Sequence, residues 1–371
     1  MKPILGVVLC LLSTCGLRAA EPGASTLSTA LRSAVDEAVQ AEMTAQDLVG
    51  VAVGVLRDET IAYLHGYGWA NREAQTPVTA RTVFNWASNS KPFIAVAAMQ
   101  LVEQGNLDLE ADVRRYVPEF PGKEHVITAR QLLCHQSGIP HYRNGRIIPC
   151  VDGAPTEPLT ELDPVVALCR FALSPLIFTP GDQYEYSSHA YVLLSAVVQR
   201  AGNAPIGDQL EARIIRPLGL ESFQLDLPYH GQPDWATGYR RTGTGKVMPV
   251  EDTAHFWKHG AGGYKSSVAD FARWAVALLN HELVGADAEK RLWTAQKRND
   301  GMTTTYGLGF SVSGHGKALK VSHNGGQDET KTRLVLYPGQ GHGVVVMSNC
   351  TFAEPSKIAA AIEKVLEGAS K

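Results

Sequence analysis

Charge of one sign is scarce in this sequence. Its 34 Lys and Arg against 37 Asp and Glu leave a formal net charge of -3, and no basic run is interleaved with aromatic residues. That excludes a nucleic-acid partner and leaves little grip on an anionic membrane surface. Long apolar runs are missing too. Beyond the N-terminus no stretch is long enough to be a stable membrane span. His135 and His141 stand six apart with no carboxylate beside them, and there is no His-x-His-x-Asp run or Cys/His cluster. We therefore expect no metal and no cofactor. No internal repeat is visible.

The first residues have a pattern of their own. Met1-Lys2-Pro3 carries one positive charge, Ile4 to Leu12 is a short apolar core, and small residues follow to Ala19 and Ala20. Residues 1–20 read as a secretory signal peptide, so the protein is expected to be exported, periplasmic or secreted. Thr14 fits poorly before a lipidated Cys15. Export leaves Cys134, Cys150, Cys169 and Cys350, and in an oxidising compartment these allow three complete pairings. Cys150 and Cys169 flank a loop-rich insert and are the favoured pair. Free buried cysteines are the alternative.

A chain of 371 residues can bury a large core and is expected to split into two lobes. Ser28 or Thr29 opens a helix to about Gln40, with Leu31, Val35 and Val39 on one stripe. Leu48 to Leu56 alternates Val with Gly or Ala, a strand with one bulky and one slim face. Thr60 to Ala70 returns as its hairpin partner, and the slim face can admit a helix closely. A helix is expected from Ser88 to Gln104. From Leu107 to about His259 the composition is mainly helical with long loops. Helices are expected over 127–133, with Thr128 as cap, over 191–201 and over 206–214, with a polar insert over 143–163. Ser267 and Asp270 form a capping box for a helix through Leu279. Short strands over 306–311, 318–323, 331–337 and 343–347 and a helix over 359–366 close the chain. The simplest assembly is a two-lobed α+β fold. An antiparallel sheet flanked by helices takes residues 21–91 and 261–371. A mainly helical lobe takes 92–260, and the active site lies between them.

The chemistry starts at Ser88-Asn89-Ser90-Lys91, a hydroxyl and an amine one helical turn apart. A serine nucleophile needs a base in reach, and a helix N-terminus offers N–H groups to developing negative charge. A capping serine and a surface lysine fit the same residues, so the pair needs support elsewhere. Tyr186-Ser187-Ser188 precedes a helix. Tyr186 can carry a proton if a nearby ammonium lowers its pKa, and Ser188 can bond the lysine. A packed aromatic turn is the alternative there, and His189 reads as a cap or a solvent-facing residue. Ser322-His323-Asn324-Gly325-Gly326 ends a strand whose glycines let a ligand lie along the backbone. A hairpin with glycine turns is the alternative.

These segments together resemble the serine beta-lactamase-related hydrolases, the family of class C beta-lactamases, D-alanyl-D-alanine carboxypeptidases and related esterases. Ser88-Asn89-Ser90-Lys91 is similar to its first motif. Leu132 to Pro140 resembles a segment between motifs. Tyr186-Ser187-Ser188 resembles Tyr-x-Asn with Ser in the Asn place. Ala261-Gly262-Gly263 with Ser267 to Asp270 resembles a further segment, and His323-Asn324-Gly325 stands where Lys-Thr-Gly or His-x-Gly stands. The segments at His135, Tyr186 and His323 also resemble the mitochondrial beta-lactamase-like serine protease branch.

The resemblance implies roles. Ser88 is the nucleophile, Lys91 its base and Tyr186 a proton carrier. Ser188 orients Lys91, and the N–H groups of Ser88 and Gly326 hold the oxyanion. His323 supports the site, while Asn324 and Gly325 line the substrate. The implied substrate is a small peptide, a beta-lactam or an ester. His323 carries charge only when protonated and otherwise donates one hydrogen bond. That weakens an efficient beta-lactamase, and the resemblance points first to a D-alanyl-D-alanine carboxypeptidase-like or related peptidase, with a carboxylesterase or a class C-like beta-lactamase on the same scaffold as the alternative. A silent protein binding peptidoglycan peptides or penicillin is the reading of another class.

Overall fold

The computed structural model describes residues 25–150, 163–227, 234–251 and 253–368. The expected signal peptide and most of the 143–163 insert lie outside the described residues.

The fold is two-lobed and α+β. Among the described residues a seven-stranded antiparallel sheet runs Thr76–Pro77, Thr60–Asn71, Gly50–Arg57, His342–Ser348, Thr330–Tyr337, Lys320–Gln327, Ser311–Ser313. The two ends of the chain thus meet in one sheet, with Val53 opposite Val346 and Leu334 opposite Val345. Side-chain alternation assigns the faces. Val51, Val53 and Val55 pack with Val344 and Val346 against the helices Thr29–Gln46 and Pro355–Gly368. Ala52, Gly54 and Leu56 face the other way. There the slim face does admit a helix, Val268–Leu279: a Cβ on Gly54 would stand 3.2 Å from that of Ala272.

The helical lobe is built on Ala129–Leu133, Ser188–Ala201 and Ile206–Leu210. Thr128 and Gln131 form a reciprocal capping box. Ser187 Oγ accepts from the Ala190 N–H at 3.1 Å, so its helix starts three residues before the expected 191 and carries Ser188 in its first turn. The helix Ser90–Glu103 is buried on every side from Ser90 to Met99 and runs through the core.

Several expectations need correction. The first helix continues to Gln46, because residues 41–46 contain no breaker and Met43 still packs on the core. The last helix likewise fills Pro355–Gly368. The 206–214 helix changes to a π turn after Leu210. Residues 306–310 are not a strand. The Gly307 N–H donates to the Phe310 carbonyl at 2.8 Å and Gly309 has φ 93°, so the chain loops before Ser311–Ser313. The box at Ser267 is half made. Ser267 Oγ accepts from the Asp270 N–H, but the Asp270 carboxylate is taken by Ser222 and Arg273.

Candidate active site

Strand Val83–Asn85 delivers the chain to a 3-10 turn, Ala87–Asn89, which leads into helix Ser90–Glu103. Ala87 takes φ 48°, a left-handed conformation that is costly for a residue with a Cβ. Neighbours hold the turn there. Trp86 stacks on Phe271 with centroids 3.9 Å apart, and its Nε1–H donates to Ser266 Oγ at 2.7 Å. The Thr332 hydroxyl donates to the Trp86 carbonyl at 2.9 Å and accepts from Asn89 Nδ2–H at 2.7 Å. Gly325 closes the clamp, since a Cβ there would lie 2.5 Å from the Trp86 carbonyl oxygen. Strain over-determined in this way gathers at sites where a side chain must be aimed. The side chain aimed here is Ser88, which is partly exposed.

Lys91 comes round one turn later. Its Nζ lies 3.1 Å from Ser88 Oγ, 3.1 Å from Ser188 Oγ and 2.6 Å from the Ala261 carbonyl oxygen. The side chain is fully buried, and none of these partners is an anion. Removal from water, helped by the charge of Lys258, pushes the ammonium well below its ordinary 10.5. A neutral amine has two N–H groups and one lone pair. With the N–H groups directed at Ala261 and Ser188, the lone pair is left for the Ser88 O–H.

Tyr186 stands beside the Ser88 and Ser188 hydroxyls, whose influence draws its pKa down, and Lys91 Nζ lies 4.8 Å from its ring centroid. The sequence reading needed a lowered phenol pKa. The structure reverses that direction, because burial drives the phenol up by more than its hydroxyl partners draw it down. Tyr186 is therefore a protonated phenol that can relay protons, not a phenolate.

Two histidines brace this loop. His135 is buried at φ 59°, packs 4.3 Å from the Tyr186 ring, and accepts the Ser187 N–H on Nδ1 at 3.1 Å. His141 accepts the Ser188 N–H on Nδ1 at 3.1 Å. Among the described residues no group of three or more His, Cys, Asp and Glu converges as metal ligands would. His189 neither caps nor faces solvent. It is buried, stacked on Phe171 at 4.4 Å, with Nδ1 2.9 Å from the Pro140 carbonyl oxygen.

Strand Lys320–Gln327 pairs with Ser311–Ser313 only as far as Ser322. From His323 to Gln327 it keeps Thr330–Tyr337 on one side, and among the described residues its other edge has no strand. Side chains alternate along it. Asn324 Oδ1 accepts from Arg333 at 3.0 Å and from Ser356 at 3.2 Å. Gly326 lies on that same face, near Lys331. His323 is buried. Its Nδ1–H donates to the Asn324 carbonyl at 2.7 Å, and Nε2 accepts from the Tyr306 hydroxyl at 2.9 Å. Burial and the nearby Lys91 push its pKa down to about 3. Neutral, with its one N–H spent on the main chain, it gives a substrate neither charge nor donor. That corrects the hydrogen bond expected from it.

Three side chains were not anticipated. Tyr306 satisfies His323. Tyr142 packs against His141, with ring centroids 4.2 Å apart. Lys258 Nζ donates to Gln327 Oε1 at 2.8 Å. A signal was available for two of them: Tyr142 follows the Leu132–Pro140 segment, and Lys258 lies three residues before Ala261.

Comparison with known proteins bears on the family and the fold. The family model described as Beta-lactamase matches residues 35–368. Esterase EstB of Burkholderia gladioli is 34% identical over 232 residues, which is 58% of this chain and 59% of that protein. The putative penicillin-binding protein PbpX of Bacillus subtilis is 27% identical over 260 residues, 70% of this chain and 61% of its own. The chain thus spans only 59% and 61% of these two relatives. The octameric penicillin-binding protein homologue from Pyrococcus abyssi superposes with a TM-score of 0.75 at 24% identity, covering 91% of this chain and 77% of that one, a likeness of fold. With the family model matched from residue 35 to residue 368, this chain belongs to the Beta-lactamase family.

Proposed function

We propose that the protein is a serine hydrolase that forms a covalent acyl-enzyme at Ser88. One observation carries this: a buried lysine with no anionic partner among its hydrogen bonds, its Nζ 3.1 Å from Ser88 Oγ and 3.1 Å from Ser188 Oγ. In the first step the Ser88 proton passes to Lys91 as Oγ bonds to the substrate carbonyl carbon. The oxyanion rests on the N–H groups of Ser88 and Gly326, and losing one such donor costs about 3 kcal/mol in a serine protease. Collapse breaks the bond to the leaving group, which takes a proton from Lys91 through the Tyr186 phenol. Water then repeats the sequence on the acyl-enzyme and restores Ser88. Ser188 holds the lysine where the family's Asn would.

The state of His323 weighs on substrate choice. A carboxypeptidase substrate brings a carboxylate to the third motif, and a neutral His323 with its N–H already bonded does not receive it. That favours a carboxylesterase over a D-alanyl-D-alanine carboxypeptidase or a class C-like beta-lactamase. A place near the mitochondrial protease branch rests on three motifs alone. Export rests on residues 1–20, and cell fractionation with N-terminal sequencing tests it.

The decisive experiment exposes wild type and Ser88→Ala to a fluorophosphonate label, a short-chain aryl ester, a D-Ala-D-Ala peptide and a chromogenic cephalosporin. The aryl ester is expected to turn over fastest. The variant is expected to lose labelling and at least about a thousandfold in kcat/KM. Labelling unchanged in the variant removes Ser88 from the role. No turnover and no acylation of the wild type returns the silent binding protein.

A further inference from the structure

The acyl-transfer steps leave Lys258 unused, although it stands beside them. Its 3-10 segment, Phe256–Ala261, supplies the carbonyl that holds Lys91. Its ammonium reaches the end of the unpaired strand edge and donates to Gln327 Oε1 at 2.8 Å, while Gln327 Nε2–H donates to the Gly262 carbonyl at 3.0 Å. Gly262 in turn abuts the nucleophile turn, with its Cβ position 3.5 Å from the Ala87 carbonyl carbon. The ammonium also lies 5.6 Å from the Tyr142 centroid and 5.7 Å from that of Trp257, over which the Arg170 guanidinium sits at 4.2 Å. Two cations and two aromatic faces gather at this end of the edge.

The site has a direction. The Tyr186 ring, which serves the leaving group, lies 6.3 Å from the His323 ring at the other end of the edge. If the leaving group departs on the His323 side, the acyl chain runs along the edge toward Gln327 and Lys258.

We propose that Lys258, framed by Tyr142 and Trp257, binds an anionic group carried by the acyl part of the substrate, as in a half-ester of a short dicarboxylic acid. This rests on the acyl-enzyme reading of Ser88. An ammonium has three N–H groups and Gln327 takes one, so a carboxylate can be received without breaking that bond. Burial holds Lys258 down to about 8, against the pull of Asp328, Asp226 and Glu329, so the charged form prevails at neutral pH. The side chain is half-buried, open to a ligand yet partly desolvated, which strengthens a charge-assisted hydrogen bond.

The test compares mono-p-nitrophenyl glutarate with p-nitrophenyl pentanoate, esters of matched acyl length, on wild type, Lys258→Met and Lys258→Arg. The anionic-to-neutral ratio of kcat/KM is expected to fall roughly ten- to a hundredfold in Lys258→Met, as for loss of one hydrogen bond to a charged group, and to recover largely in Lys258→Arg. Lys258 also bears on the Lys91 proton, but that effect strikes both esters and cancels in the ratio. Titration calorimetry of the glutarate half-ester against Ser88→Ala, with and without Lys258→Met, reads the same contact without turnover and is expected to weaken alike. A ratio and a Kd unmoved by Lys258→Met, while Ser88→Ala stays inactive, overturn the anion site alone. Turnover that survives Ser88→Ala overturns the nucleophile and this inference with it, as does a wild type that cleaves neither ester.

Discussion

Burial holds the Lys91 ammonium well below its ordinary value. Burying an unpaired ammonium costs several kcal/mol, and losing the proton is the cheaper course. Folding and catalysis are therefore linked through one proton. Between the lowered folded value and the ordinary 10.5, the unfolded chain holds a proton at this position that the folded chain does not. The unfolded state binds more protons across that window, so the contribution to stability rises with pH there. The slope is at most about 1.4 kcal/mol per pH unit, and the contribution falls away as pH drops through the folded value. Lys91→Met has no such proton. Urea unfolding from about pH 7 to about pH 9 is expected to show the wild type gaining on the variant. A constant gap between them would mean that folded Lys91 keeps its charge, and Ser88 would then lack its base. Part of this was legible in the sequence. Spacing and motif order brought out Ser88, Lys91 and Ser188. The rising Tyr186 phenol and the spent N–H of His323 were not legible, because each depends on burial and on neighbours such as Tyr306 that are distant along the chain.

At the scale of elements, the turn and the strand edge fit each other through Gly325. The alternation from Val51 to Val55 was plain in the sequence, since the pattern repeats over several residues, and the helix behind Lys91 showed as the apolar run Ile94 to Leu101. The loop at 306–310 was not, because Gly307 and Gly309 interrupt an apolar run that otherwise reads as a strand. Gly325 also reads as a turn glycine in sequence. In the structure it allows close approach, for a Cβ would press on Thr332 Oγ1 and the Trp86 carbonyl oxygen. Gly325→Ala must push the strand off the clamp that holds Ala87 in its left-handed conformation. Overpacking of this kind costs about 1–3 kcal/mol. Acylation should suffer more than stability does, because the Ser88 and Gly326 N–H groups lie on the two pieces being separated. Denaturant unfolding together with the rate of fluorophosphonate labelling checks this. A variant that labels at the wild-type rate would show that the two pieces need not be in register.

For the whole molecule, the site lies where the chain changes lobes. We propose that the lobes divide after Lys91 and before Ala261, so that the 3.1 Å contact from Lys91 Nζ to Ser188 Oγ crosses from one lobe to the other. The catalytic amine then depends on both lobes keeping their relation, and the helical lobe must be tied down near its loops. Cys150 and Cys169 are placed to do that. The Cys150 N–H donates to the Cys169 carbonyl at 2.7 Å, although both thiols are free here, whereas Cys134 and Cys350 are buried elsewhere. In an oxidising compartment this pair is expected to close. Cross-linking a loop of about this length removes unfolded-state entropy worth roughly 3 kcal/mol. Peptide mapping of air-oxidised protein should find Cys150 and Cys169 protected from alkylation and joined, with Cys134 and Cys350 labelled after denaturation. Reductant should lower the unfolding midpoint of the wild type and leave a Cys150→Ser, Cys169→Ser double variant unmoved. Equal sensitivity of both proteins would show that the stabilising bond, if there is one, lies elsewhere.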